Sequence, residues 1–298
     1  MTLSTATAID ISRLPPPVII ELLDVSAILT QMRADFLARY PAFDAAVESD
    51  PVQKLLEVAA YREWLLRAEF NQRARGCMIA FAEASDLDQL GALLGAQRLE
   101  VTPADTYLNI PAVMENDDDF RRRIVLSPEG FSVAGPEGAY ISHALAADGD
   151  VLDASATSPA PGEVMVTVLS RLADGTASPE LLALVNDAVS AEDVRPLTDM
   201  VTVQGPDIIE YVVAAEIETF AGPDKDLVLT EARRQLDGYI TRSRKLGRDI
   251  VRSGHIGALH VEGVSRVRLI SPAADQILDR TQAAYCTAIT LTHSGTGE

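Results

Sequence analysis

The sequence predicts an α+β chain: a helical N-terminal region with a long bundle helix, followed by two small α/β domains of βαβ type. Three observations carry this reading. Apolar residues recur at helical spacing from Ile28 to about Ile124. Asp50-Pro51 opens a long helical segment. Beyond Gly130 the period changes, and Val164, Val166 and Val168 alternate with Met165, Thr167 and Leu169 as in a half-buried strand. The implied divisions are an extended arm over 1–27, a helical region over 28–129, and α/β domains over 130–205 and 206–298. A chain of 298 residues has room for about two average domains and a sizeable core.

Each element follows from local signals. Leu29, Met32, Phe36 and Leu37 keep helical spacing until Tyr40-Pro41, where the proline ring cannot continue the ladder. Asp50 then serves as N-cap with Pro51 at the first helical position, and the helix is expected to run from Pro51 to about Ala84. Glu63 with Arg67, and Glu69 with Arg73, are acid-before-base pairs four residues apart. This helix carries two apolar stripes. One holds Leu55, Ala59, Leu66, Phe70, Cys77 and Phe81; the other holds Val58, Tyr61, Leu65, Ala68 and Ile79. A helix against one core needs a single stripe about 100° wide, so two stripes call for neighbours on both sides, as in a bundle. The first stripe is the candidate partner-binding face, with an internal helix of a larger helical domain as the alternative.

A shorter helix, Leu87 to Leu94, is expected to close at Gly95. Pro103 and Pro111 break any long element before Asn116 to Asp119 start a helix from Phe120 to about Leu126, with Arg121, Arg122 and Arg123 a turn later. The aspartates lack the alternating spacing and closing glutamate of a calcium loop, so capping is their expected role and no metal site is expected. Gly135-Pro136-Glu137-Gly138 precedes a helix near Ala139 to Ala146; no Lys-Ser or Lys-Thr follows, so this is a turn and helix start rather than a phosphate cradle. Strands are expected at Val151–Ser158, Glu163–Ser170, Met200–Val203, Ile208–Phe220, Val264–Ile270 and Ala288–Thr292. Helices are expected at Pro179–Ala191, at Asp224 to about Ser243, and near Gly254–His260. A faint internal repeat aligns Val151 with Val264 and Ser158 with Ser271 at one common offset, each unit being helix, tight turn and strand ending at Ser-Pro.

Composition excludes several functions. With 25 basic and 44 acidic residues the net charge is −19, which repels phosphate backbones and anionic membranes, so neither nucleic acid nor membrane is an expected partner. Cys77 and Cys286 cannot build a disulfide framework or a cysteine zinc site. Met1 to Leu14 has neither a basic flank nor an apolar run, so no secretory leader is expected, and no stretch approaches the ~20 apolar residues of a membrane span. Catalytic signals are equally thin. His143 sits inside an expected helix, His255 and His260 are five apart and miss a common helical face, and His293 falls in the C-terminal tail. Ser253 beside His255 reads as an N-cap rather than a nucleophile. No enzyme, catalytic residue or cofactor is expected. A carbohydrate- or peptide-binding module would require a concave aromatic site, whereas aromatics are 5% of the chain with one tryptophan, Trp64. A hydrolase using Ser253, His255 or an acid pair ranks below that.

Several segments together carry a resemblance: Ala8 to Pro17; Glu48-Ser49-Asp50-Pro51 with Leu55 to Glu63; Phe120 to Ile124; Gly130-Phe131-Ser132-Val133-Ala134-Gly135-Pro136-Glu137-Gly138-Ala139-Tyr140; and Asp193-Val194-Arg195-Pro196-Leu197-Thr198-Asp199. Collinear over nearly the whole chain, they resemble the baseplate assembly protein J family of contractile-tailed phages, with Glu100 to Glu115 departing from the pattern. The resemblance implies a structural wedge component of a phage or R-type pyocin-like baseplate, made in the bacterial host cytoplasm. It implies two copies of the chain with one tail protein I-type wedge protein, their helical parts joined in a core bundle. It implies C-terminal parts that pair between copies to close a ring, and a protein W-type lysozyme-like baseplate protein docked on the bundle. A lever motion of the helical half on contraction, with hinge freedom near Gly130 or Gly135, is the accompanying expectation.

Overall fold

A computed structural model describes residues 15, 17, 21–43, 49–192, 194–222 and 224–297. The described residues divide into two compact units, one ending at Gln97 and the other starting at Arg98. The first is helical: α1 (Val25–Arg39), α2 (Pro51–Gly76) and α3 (Ala84–Ala92). Asp24 caps α1 by accepting from the Ser26 N–H, and Asp50 caps α2 by accepting from the Val52 N–H, with Pro51 first in the helix. The α1 helix packs along α2, where the Arg33 Nε donates to Gln53 Oε1 at 3.0 Å.

The α2 helix stops at Gly76, well short of the expected Ala84. A Cβ at Gly76 would lie 2.5 Å from Asp86 Oδ2, so the glycine lets the chain fold back closely enough to start α3 beside it. The α3 helix correspondingly starts earlier than expected, at Ala84 rather than Leu87. It closes as expected at Gly95 (φ +74°): the Ala96 N–H reaches the Gly91 carbonyl and the Gly95 N–H reaches that of Ala92.

The second unit opens with a small antiparallel pair, β1 (Glu100–Thr102) and β2 (Val113–Met114), too short to leave a periodic trace in the sequence. Next come α4 (Asp117–Leu126), a 3-10 turn (Ser127–Phe131) and α5 (Glu137–Ala147). A three-stranded sheet follows, formed by β3 (Val151–Thr157), β4 (Glu163–Ser170) and β5 (Met200–Gln204), with α6 (Pro179–Val189) crossing over between β4 and β5. In it β4 is central, antiparallel to β3 and parallel to β5. The second sheet has β6 (Asp207–Phe220) at its centre, antiparallel to β7 (Val264–Ser271) and parallel to β8 (Gln282–Gly297). Between β6 and β7 lie α7 (Lys225–Ser243) and α8 (Arg252–Leu259). Tyr140, Ala144, Val166, Val168 and Val185 centre the first core, and Val213, Ile217, Ala232, Leu236 and Leu259 the second.

The two sheets share one layout in two chain orders. Each has a central strand, an antiparallel edge strand preceded by a helix that packs on it (α5–β3, α8–β7), and a parallel edge strand packed by the helix that follows the centre (α6–β5, α7–β8). In the first domain the helix and antiparallel edge strand precede the centre; in the second they follow it. The faint repeat at Val151 and Val264 is this shared helix–strand unit.

Three local expectations are corrected. Ser253 is not the N-cap of α8: Val251 occupies that place, and the Arg252 N–H is met by Asp275 Oδ1 at 2.7 Å from a distant loop, a cap invisible to local sequence. His293 lies in β8 rather than in a tail, its Nε2 3.2 Å from Thr219 Oγ1. The β8 strand extends from Gln282 to Gly297 instead of Ala288 to Thr292, because its pairing with β6 recruits Gly, Ser and Ala residues that carry no alternating apolar signal.

The motif segments over Gly135–Tyr140 and Arg195–Asp199 form a single clasp. Tyr140 is buried and its hydroxyl donates to Asp199 Oδ2 at 2.8 Å; burial and then that carboxylate push the phenol upward, keeping it a donor. Gly135 has φ +72°, and a Cβ there would lie 2.6 Å from Pro196 Cγ. Gly130 sits against α5, its carbonyl 3.1 Å from His143 Nε2. Neither glycine is where the chain divides; that boundary falls between Gln97 and Arg98.

Two outcomes follow. Gly135→Ala meets both a left-handed backbone and a crowded site, whereas Gly95→Ala meets the same backbone with nothing within 4 Å. Gly95→Ala is therefore expected to cost about 1 kcal/mol and Gly135→Ala about 1–3 kcal/mol more, read from unfolding midpoints. Burial holds the His255 imidazole below its ordinary value of 6.5, so in acid the unfolded chain takes up a proton that the folded chain resists. Stability contributed by neutral His255 is present above that pH and falls as the pH drops through it. His255→Leu should therefore show a shallower loss of unfolding midpoint than the parent between about pH 7 and about pH 5.

Candidate partner-binding interface

The long α2 helix is exposed along most of its surface. Among its described residues only Gln53 and Ala60 are buried, while Leu55 and Leu66 are each 68% exposed, Phe70 56% and Val58 58%, with Tyr61 and Leu65 also outside. At 100° per residue these six apolar side chains fall on one arc of roughly half the circumference, away from Gln53 and Ala60. The two stripes read from the sequence are thus the two halves of one uncovered face. At ~1.5 Å per residue the face from Leu55 to Phe70 is ~23 Å long. Isolated exposed leucines are ordinary on a soluble protein; here six large apolar side chains share one arc, with the exposed Arg62 and Glu69 set among them.

Of the predicted face, Leu55, Ala59, Leu66 and Phe70 lie together on α2. Cys77 is exposed at the helix C-cap. Phe81 lies beyond the helix end, half-buried with Ala68 and Gly76 in a shallow recess. Of the expected ion pairs, Arg67–Glu63 at 2.6 Å flanks the face and Arg73–Glu69 at 2.5 Å lies on its C-terminal part, both exposed and worth little individually. Trp64 stacks on Tyr61 with ring centroids 6.0 Å apart, on a convex helix surface rather than in a concave site.

The buried charges lie elsewhere, on α4. Asn116 caps this helix by accepting from the Asp119 N–H, as the sequence predicts. The three acids and three arginines that follow all engage in ion pairs. Asp117 pairs with Arg98 (2.7 Å), Asp118 with Arg121 (2.7 Å) and Asp119 with Arg171 (2.5 Å). Arg122 reaches Asp153 on β3 at 2.5 Å, and Arg123 grips the buried Glu115 through its Nε and Nη2 at 2.8–3.1 Å. The Arg98 and Arg123 guanidiniums also stand over the buried Phe120 ring, 4.8 and 5.5 Å from its centroid. Each aspartate of the run is committed to a guanidinium.

Asp153 also accepts from the Leu246 N–H at 2.9 Å, Ser155 donates to the Arg280 carbonyl at 2.6 Å, and Arg280 pairs with Glu137 at 2.8 Å. Arg244 donates to the carbonyls of Arg171, Leu172 and Ala173, the last at 2.7 Å. These bonds join the first α/β domain to the second.

The residues weighed for catalysis do not converge. Ser253 is exposed on α8, whereas His255 is buried beneath it with Nδ1 held by the Val251 carbonyl at 2.8 Å. Sequence reading also passed over some exposed apolar positions. Tyr107, Leu108 and Ile110 stand at the tip between β1 and β2, and the wholly exposed Leu197 tops the clasp. The available signal was apolar residues inside a proline-bounded loop.

Comparison with known proteins gives three matches in chain order. Models of the Baseplate J-like N-terminal, central and C-terminal domains match residues 48–105, 132–205 and 211–292. Baseplate protein J of Escherichia phage P2 is 45% identical over 299 residues, covering 97% of this chain and 99% of that protein. A chain of the cryo-EM structure of the anti-feeding prophage (AFP) baseplate, 6-fold symmetrised, is 15% identical with a TM-score of 0.38 over 61% of this chain. The present chain spans 44% of that one.

The α4 pairs set a further expectation. Arg123→Met leaves Glu115, whose side chain is 3% exposed, buried and unpaired, and is expected to cost about 3–5 kcal/mol. Arg73→Ala, at a largely exposed pair, should change stability by less than about 0.5 kcal/mol. Chemical denaturation of the two variants checks the contrast.

Proposed function

The chain belongs to the Baseplate J-like family and is a structural baseplate component; from that premise we propose that it serves as a wedge protein of a contractile tail. In this reading two copies join one tail protein I-type chain. The α2 face enters a shared helical bundle, the C-terminal domains meet between copies to close a ring, and a protein W-type protein docks on the bundle. The bundle passes baseplate rearrangement to the sheath, and contractile injection particles related to pyocins use the chain in the same way. The observation that carries the reading is the uncovered apolar face of α2, which has no role in a monomer and a direct one in a bundle.

The physical chemistry supports an assembly protein. A net charge of −19 keeps free copies apart and soluble until apolar faces meet, and it favours neighbours with positive surfaces. No helix among the described residues is long and apolar enough to cross a membrane. The reading includes no catalytic step.

Co-expression with the candidate I-type chain, followed by native mass measurement, is expected to give a complex with two copies of this chain to one partner. Leu66→Asp or Phe70→Asp places a charge in the face and should abolish that complex, while the isolated chain stays folded because both side chains are exposed. A complex that survives either change shows that α2 is not the contact.

A further inference from the structure

The second sheet ends in β8, and its outer edge is unlike the other sheet edges of this unit. The β3 strand is buried over 153–156, where the segments carrying Leu246 and Arg280 bond the side chains of Asp153 and Ser155; β5 is five residues long; β7 carries the exposed Arg266 and Arg268. Short length, cover and charge are the usual protections of a strand edge. The β8 strand has 16 residues, none of them Asp, Glu, Lys, Arg or Pro, in a chain with 69 charged side chains. Leu246 bridges Ala283 at its start, and Arg233 Nη1 lies 3.3 Å from the Ile289 carbonyl; beyond these, no strand among the described residues pairs with it on that side.

Two register shifts against β6 bracket an unbroken run, Ala288–His293, paired with Val212–Ile217. Its burial alternates cleanly: Ile289 and Leu291 rest half-buried against the core, and Ala288, Thr290 and Thr292 are exposed on the other face. We propose that the outer edge of Ala288–His293 is a strand-addition site for a second copy of this chain, paired antiparallel about Leu291.

The occupant follows from charge and symmetry. Copies carrying −19 each repel, and the strand itself carries no Asp, Glu, Lys or Arg; the Arg233 guanidinium on the Ile289 carbonyl is paired with Asp237 and would have to release that carbonyl for the second copy. Antiparallel pairing of identical strands is closed by a two-fold axis, so it saturates at two copies instead of propagating. With Leu291 on the axis, Ile289 faces His293 and Thr290 faces Thr292. Both core faces then stay on one side, and the half-exposed Ile289 and Leu291 are covered from the flank. Two three-stranded sheets become one, with β8 against β8 at its centre. The inference rests on the reading that copies meet through their C-terminal domains and states which edge they use.

The test uses the full chain, alone and in the co-expressed complex, in a Cys77→Ser, Cys286→Ala background. Opposed residues of a hydrogen-bonded antiparallel pair lie about 5.5 Å apart at Cα, within disulfide reach. Leu291→Cys is expected to form disulfide-linked dimers under mild oxidation, and Ile270→Cys on β7 is not. Thr290→Lys with Thr292→Lys sets lysines opposite lysines and should weaken self-association at least about tenfold, with unchanged circular dichroism. Copies that associate without the Leu291→Cys cross-link and indifferently to the paired lysines meet elsewhere; the edge assignment fails and the wedge reading stands. Absence of the cross-link in both preparations, or capture of the edge by the partner chain in its place, also overturns it.

Discussion

Asp153 is a charged residue almost wholly removed from water, and its two oxygens answer to different parts of the chain. One takes the Arg122 guanidinium from α4; the other takes the backbone N–H of Leu246 from the segment entering the second sheet. A buried carboxylate left unpaired would cost several kcal/mol, so α4, the first sheet and the second domain have to arrive together. The Ser155–Arg280–Glu137 connection repeats the demand a few residues away. What the C-terminal unit offers to a partner is therefore presented from a platform in which two domains behave as one piece.

Charge is sorted across this molecule. Inside, acids and bases are matched one against another along α4; outside, the excess of acids gives copies a mutual repulsion that acts over a Debye length, about 8 Å at physiological salt. The α2 face interrupts that surface with large apolar side chains, and the β8 edge interrupts it with uncharged backbone. In the proposed assembly, both kinds of interruption lower the electrostatic barrier at the contacts and leave it standing elsewhere.

The fold was legible wherever local chemistry decided it. Asp50-Pro51 and Asn116 each start the helix that the sequence assigns to them, because capping is settled within a few residues. What escaped was decided at a distance. The end of α2 depends on Asp86 folding back on Gly76, the start of α8 on Asp275, and the length of β8 on the register of β6. The exposed apolar face of α2 was legible as a surplus of apolar stripes on one helix; the 100° wheel already sets both on the same side, so the expectation of neighbours on both sides did not hold. The clasp of Tyr140 with Asp199 was present in the sequence only as two separate motifs, since the two residues are 59 positions apart.

One connection in the C-terminal unit has a mechanical meaning. The β5 strand ends at Gln204 and β6 begins at Asp207, leaving only Gly205 and Pro206 between them. The three Cα steps from Gln204 to Asp207 span at most about 11 Å, so the last strand of one sheet runs almost directly into the middle strand of the next. There is no slack to take up a pull. Tension applied to the second domain is delivered straight to the β4–β5 ladder, and the domains can part only if a strand slips its register. A tether this short makes the pair a transmission element rather than two beads on a string.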